Sequence, residues 1–242
     1  MRLRPAAILL APVLLVLCAP CFPSSNNFAR KAVPDAPLLA PDPSMPLGEK
    51  LTYDIFWLGF PVGTGEVWVK EKTVVDGREA YHVVGTARGN GFLGGIYPVQ
   101  DEAHSWIDAE TLRSLRFSKK IREGPNRADE KTDFRPPAHD AFSAFYWARR
   151  QALEPGRTVS TVLTTGKKEW GLDVDVVRRE RKSLRGHGKV DAIVVEPRLL
   201  VDGKPDTRGR AWLHLRNDSR RTPVYVSFKT RFGPVTGVLR PH

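Results

Sequence analysis

Gly89-Asn90-Gly91-Phe92-Leu93-Gly94 has the G-x-G-x-x-G spacing that holds a pyrophosphate against a helix N-terminus in dinucleotide-binding folds. That chemistry needs a helix to open where the motif closes. Gly95-Ile96-Tyr97-Pro98 follows instead, so the stretch reads as a glycine-rich loop between strands, with Phe92 and Leu93 at an apolar tip. Six histidines (His82, His104, His139, His187, His214 and His242) are scattered without H-x-H or H-E-x-x-H pairing. Zinc needs three or four converging ligands, so no metal site is expected. A hydrolase of the α/β type would carry G-x-S-x-G between strand and helix, and the chain has none. Ser143, between Phe142 and Ala144, has no sequence reason to be activated. Asp54, Glu66, Asp101 and Glu102 are candidates for the paired carboxylates of glycoside hydrolysis, a pairing that is spatial and not sequential. No catalytic residue and no cofactor is assigned, and the expectation is a protein that is not an enzyme.

The elements that would position such residues begin with an N-terminal address. Met1 to Arg4 carries two arginines, and Ala6 to Ala19 is almost unbroken apolar sequence, the pattern of a secretory signal peptide over residues 1–22. The run is shorter than the ~20 residues of a membrane-spanning helix, and Pro12 interrupts it. Export to the periplasm or cell envelope is therefore expected. Cys18 and Cys21, the only cysteines, lie in this segment, so cleavage after Cys21 leaves no thiol for a disulfide framework, a zinc site or a nucleophile. Leu17 and Pro20 stand where a lipid-anchored cysteine wants a small neighbour, which argues against an anchor. Residues 23–47 contain six prolines and no sustained periodicity, the composition of an extended, disordered linker. Residues 48–242 form one mostly-β domain of sufficient length for a substantial core.

Within that domain Leu51, Tyr53, Ile55 and Trp57 alternate with polar or opposite-facing neighbours, as do Ala211 to Leu215 and Val224 to Phe232. Period-two alternation predicts strands with one face toward a core. Further strands are expected at 62–71, 79–88, 99–107, 112–121, 128–135, 157–164, 169–178 and 191–198, with turns at Asp76-Gly77, Gly186 to Gly188 and Asp202-Gly203. Many short strands point to a strongly curved antiparallel sheet or open β-barrel. One segment breaks the pattern: Asp140 to Leu153 predicts a short helix at about 140–153, N-capped by Asp140, stopped by Pro155-Gly156 and packed against the sheet.

The formal charge is +11, from 38 basic and 27 acidic residues, and the basic excess is densest from Arg178 onward. A basic surface attracts polyanions. No helix-turn-helix, zinc finger or aromatic RNA-binding signature accompanies it, so no nucleic-acid partner is expected. For an exported protein the plausible anions are lipid head groups, lipopolysaccharide phosphates or acidic polysaccharide.

Three blocks together resemble a known family. They are Gly48-Glu49-Lys50-Leu51-Thr52-Tyr53-Asp54 leading into Trp57-Leu58-Gly59-Phe60-Pro61-Val62-Gly63; Asp140 to Arg149 with Pro155-Gly156; and Trp212 to Asn217 followed by Asp218, Arg220-Arg221, Thr222-Pro223-Val224 and Phe232-Gly233. This resembles the bacterial exported family of domain of unknown function 3108, which brings no activity with it. The last block is also similar to the hairpin of sheet-based lipoprotein carriers, which hold an acyl chain between a curved sheet and a covering helix. That likeness implies a non-enzymatic envelope protein binding an apolar or amphiphilic ligand in its concave face. Tyr53, Trp57, Trp68, Phe142, Phe145, Trp212 and Phe228 would then form the cavity wall, and Arg149, Arg210 and Arg231 the rim that meets an anionic head group. The alternative is a structural or interaction module with a filled core and a basic partner-binding face. A cavity of several hundred Å³ would favour the first, a solid interior the second.

Overall fold

Buried and half-exposed residues alternate along the first strand, Leu51, Tyr53 and Ile55 inside and Thr52, Asp54 and Phe56 less covered, so one face of the strand is turned to the core. The computed structural model describes residues 45–242, apart from 92–94, 96, 165–167, 202, 207–208, 231 and 242. The expected signal peptide and all but the end of the expected linker lie outside the described residues.

The strands are β1 (Lys50–Trp57), β2 (Phe60–Val75), β3 (Arg78–Gly89), β4 (Gln100–Asp108), β5 (Ser114–Glu123) and β6 (Asn126–Ala138). Helix α1 (Ala141–Arg149) follows, then β7 (Thr158–Thr164), β8 (Glu169–Leu184), β9 (Gly188–Val201), β10 (Lys204–Pro205), β11 (Arg210–Arg216), β12 (Pro223–Thr230) and β13 (Gly233–Leu239). Twelve strands follow one path, β6-β5-β4-β3-β2-β1-β13-β12-β11-β9-β8-β7, and β10 pairs with β9 beside it. Every pairing between neighbours is antiparallel, and β1 joins the two halves of the chain, with Tyr53 opposite Leu239 and Trp57 opposite Val235. At the expected Asp76-Gly77 turn both residues are left-handed, φ 50° and 79°, the geometry that matches the twist of a two-residue hairpin. The path ends, β6 and β7, are linked among the described residues by a parallel bridge between His139 and Leu163, with the Thr164 N–H donating to the His139 carbonyl at 2.8 Å. The result is a nearly closed antiparallel barrel, as the alternation implies.

The helix is shorter than expected and, as expected, packs against the sheet. Asp140 is the N-cap, but the helical backbone ends at Arg149, and Arg150 closes it. Ala141, Phe142, Ser143, Ala144, Tyr146, Trp147 and Arg149 are all buried, and only Phe145 and Ala148, on one side, are half-covered. A helix lying on a sheet buries one stripe; α1 buries more than that, because it sits on the concave side against the inward faces of β3, β4 and β5. Phe142 is 0 % exposed, and its ring stands over Gly85 of β3, where an added Cβ would lie 2.4 Å from Cζ. Gly85 is therefore required for space.

Gly85→Ala forces the Phe142 ring to shift and is expected to destabilise the fold by about 1–3 kcal/mol, the usual range for overpacking. Phe142→Leu in the same chain should recover part of that loss. Urea denaturation of the two single variants and the double checks this; strictly additive effects would contradict the contact.

Candidate functional site: the filled interior and its polar anchors

The N-terminal end of α1 is pinned by a carboxylate. Asp140 Oδ2 accepts from Ser105 Oγ on β4 at 2.6 Å and from Ser114 Oγ on β5 at 2.7 Å, while Oδ1 accepts from the Ser143 N–H at 2.8 Å. Burial pushes the Asp140 pKa up, and these three donors oppose that by stabilising the charge. Ser143 Oγ lies 3.3 Å from His139 Nδ1, so a serine, a histidine and an aspartate meet. Their arrangement is that of a cap, since the Asp140 oxygens face hydroxyls and a backbone N–H, and Ser143 Oγ donates to the Asp140 carbonyl at 3.1 Å. Ser105 stands between Ala103 and Ile107 on the buried side of β4, and a polar residue in an apolar stripe is the one sequence signal that points to this network.

The other end is held by a bidentate ion pair. Arg149 Nη1 and Nη2 donate to Glu49 Oε2 and Oε1 at 2.6 and 2.8 Å, and Nη2 also donates to the Arg220 carbonyl at 2.8 Å. Tyr146 Oη donates to the same Glu49 at 3.2 Å, and the Tyr53 hydroxyl donates to the Pro223 carbonyl at 2.8 Å. Desolvation raises the pKa of both phenols. Glu49 was not among the expected site residues, because its partners come from α1, far along the chain.

The expected cavity wall divides. Tyr53, Phe142 and Phe228 are buried in the main core, with Trp57 and Phe145 packed partly exposed against it. Trp57 Nε1 donates to the Phe232 carbonyl at 3.1 Å. Trp68 and Trp212 do not line the interior: each lies on the opposite face of its strand from buried neighbours, Val67 and Val69 or Ala211. There they stack under cations, Lys50 Nζ at 5.6 Å and the Arg210 guanidinium at 4.8 Å from the ring centres. Of the expected rim, Arg149 is not at the surface but 5 % exposed, drawn inside by Glu49. Arg210 is exposed and paired with Glu196 at 2.6 Å, and Arg231 lies outside the described residues, as do Phe92 and Leu93. The basic run of β8 is threaded with carboxylates: Arg178 with Glu180 and Arg181 with Asp191.

Two groups escaped the sequence reading because strand pairing alone brings them together. His82 Nε2 and His104 Nδ1 lie 2.9 Å apart beside Trp106, with Glu71 and Glu102 on their other nitrogens at 3.2 and 3.0 Å. Asp101 is joined by Glu123 of β5, whose pKa is pushed up to about 8 by burial first and then by the hydrogen bond and charge of Asp101. The other carboxylates considered for hydrolysis are apart: Asp54 pairs with Arg240 and Glu66 with Lys50. Among the described residues no group of three or more His, Cys, Asp or Glu is placed to hold a metal ion.

The family model described as protein of unknown function DUF3108 matches residues 52–138 and 129–240, spanning β1 to β13. The chain belongs to this family. A β-barrel-like DUF1849 protein from Brucella abortus is similar to this DUF3108 chain in fold, with a TM-score of 0.52 and 10% identity, over 78% of this chain and 94% of the other. A candidate exported protein with a YmcC-like fold from Bacteroides fragilis aligns with a TM-score of 0.38 and 11% identity, over 80% of this chain and 94% of the other. No curated protein sequence matches the chain significantly.

Glu49→Ala leaves the buried Arg149 guanidinium unpaired and is expected to cost about 3–5 kcal/mol of stability, read as a lower denaturation midpoint. Glu123 binds its proton more tightly folded than unfolded, so its contribution is fully present below about pH 4.5 and is lost as pH rises toward 8. Glu123→Gln should flatten that decline in urea midpoints measured across pH 4 to 9 (about that range); an unchanged slope would contradict the assignment.

Proposed function

We propose that this DUF3108 protein is a non-enzymatic component of the bacterial cell envelope that acts as an interaction module through its outer surface and its mouths. Export rests on the basic-then-apolar N-terminus. Among the described residues no helix is long and apolar enough to cross a membrane. The observation that carries the module reading is α1 itself: Phe142 and Trp147, 0 % and 2 % exposed, occupy the concave space in which a carrier would hold its ligand. Two open hollows among the described residues, about 200 and 390 Å³, lie beside the end of α1 and against β4–β6, and neither is lined by Tyr53, Trp57, Phe142 or Phe228.

The carrier reading, an apolar or amphiphilic ligand in the concave face, requires α1 to leave the barrel. That movement would break the Asp140 cap and the Glu49–Arg149 pair together and expose a fully buried phenylalanine and a tryptophan. Fully exposing such side chains costs about 1.5–3 kcal/mol each before any polar loss.

Native mass spectrometry of the exported, mildly purified protein, followed by denaturation and lipid analysis, separates the two. The module reading predicts that no acyl chain enters the interior: the mass is that of the bare polypeptide, or any lipid bound leaves the α1 amides as protected from hydrogen exchange as before. A stoichiometric acyl-containing species whose binding exposes the α1 amides would overturn it in favour of a carrier.

A further inference from the structure

Two Arg-Arg pairs, distant in sequence, meet at one end of the barrel. Arg149-Arg150 closes α1, and Arg220-Arg221 lies in the loop between β11 and β12. The loop grips the helix end: Arg149 Nη2 donates to the Arg220 carbonyl at 2.8 Å, and Arg221 Nη1 donates to the Arg149 carbonyl at 3.0 Å and to the Gln151 carbonyl. The last carbonyls of a helix repel anions, and here Arg221 covers them. The nearby carboxylates are engaged elsewhere, Glu154 with Arg179. Both oxygens of Glu49 are engaged by Arg149, and Asp218 Oδ1 accepts from the backbone N–H groups of Arg220 and Arg221. Among the described residues no carboxylate pairs with the Arg220 side chain. Burial lowers the Arg221 pKa, with the charge of Glu154 opposing the shift and that of Arg150 adding to it.

Beside these residues opens the hollow of about 200 Å³, lined by Arg149, Arg150, Ser219 and Arg220, with Met45 and Pro46 as an apolar wall. We propose that this hollow binds a phosphate-type oxyanion, as a free phosphate or as a lipid head group, through the Arg150 and Arg220 guanidiniums and the Ser219 hydroxyl. A planar guanidinium offers paired N–H donors that match two phosphate oxygens, which a lysine cannot do. The site lies outside the filled interior, so it goes beyond the module reading and stands or falls separately from it.

Isothermal titration of the full-length exported protein with inorganic phosphate, and flotation with phosphatidylcholine vesicles with and without phosphatidylglycerol, test the site. The double variant Arg150→Gln/Arg220→Gln should bind at least about tenfold more weakly, the scale of one lost charge-assisted pair. Lys182→Gln, remote on β8, should bind as the native protein does. Arg220→Gln alone, in an exposed loop, keeps the comparison readable if the double variant fails to fold. Phosphate binding without flotation assigns a soluble ligand, and flotation on anionic vesicles that the variants lose assigns a head group. Neither phosphate binding nor flotation, or equal binding by native and variant proteins, would overturn the proposal.

Discussion

A sheet of twelve strands that curls on itself encloses more space than its own side chains can fill. Eight-stranded barrels are just narrow enough for interior side chains to meet, and wider ones hold a ligand, a channel or a plug. This chain supplies its own plug, and the rest of the structure follows from that. The connection between β6 and β7 is made to pass through the interior as α1, Gly85 is left without a side chain where Phe142 must stand, and the two sheet edges are left to meet at the His139–Leu163 bridge.

Bringing a helix into an apolar interior also brings in its unpaired backbone ends, which must be satisfied there. Asp140 does this for the first turn and Arg221, which donates to the Arg149 carbonyl, for the last, while two anchors of opposite charge hold the helix in place. Asp140 takes donors from β4, β5 and α1 at the start, and Arg149 ties the last turn to Glu49 at the edge of β1. Each joins elements far apart in sequence, so the helix is fixed relative to both halves of the sheet. A carrier's covering element needs the reverse, few buried polar ties and a low opening free energy. The basic loop between β11 and β12 then inherits its place from the C-terminal anchor, since Arg220 and Arg221 bond to the end of the plug.

Much of the fold was legible in the residues. Alternation in Leu51 to Trp57 and in Val224 to Phe228 marks strands whatever their partners, and Asp140 followed by an aromatic run marks a helix start. What alternation cannot say is which of two faces is concave: Trp68 and Trp212 are as apolar as Trp57, yet pairing sends them outward beneath Lys50 and Arg210. Nor does an arginine announce its burial. Arg149 reads as a rim cation until Glu49, from the other end of the domain, is placed against it. The His82–His104 and Asp101–Glu123 pairs fail for the same reason, because strand pairing makes them diagonal neighbours, His82 opposite Trp106 and Glu123 opposite Val99.

Native-state amide hydrogen exchange tests most directly whether α1 is a fixed plug. The account predicts that the hydrogen-bonded amides from Phe145 to Arg149 exchange only through global unfolding, with the same opening free energy as the central strands β1 and β2. Exchange of the helix through a separate opening several kcal/mol below that limit, with β1 and β2 still protected, would show a removable lid and contradict it.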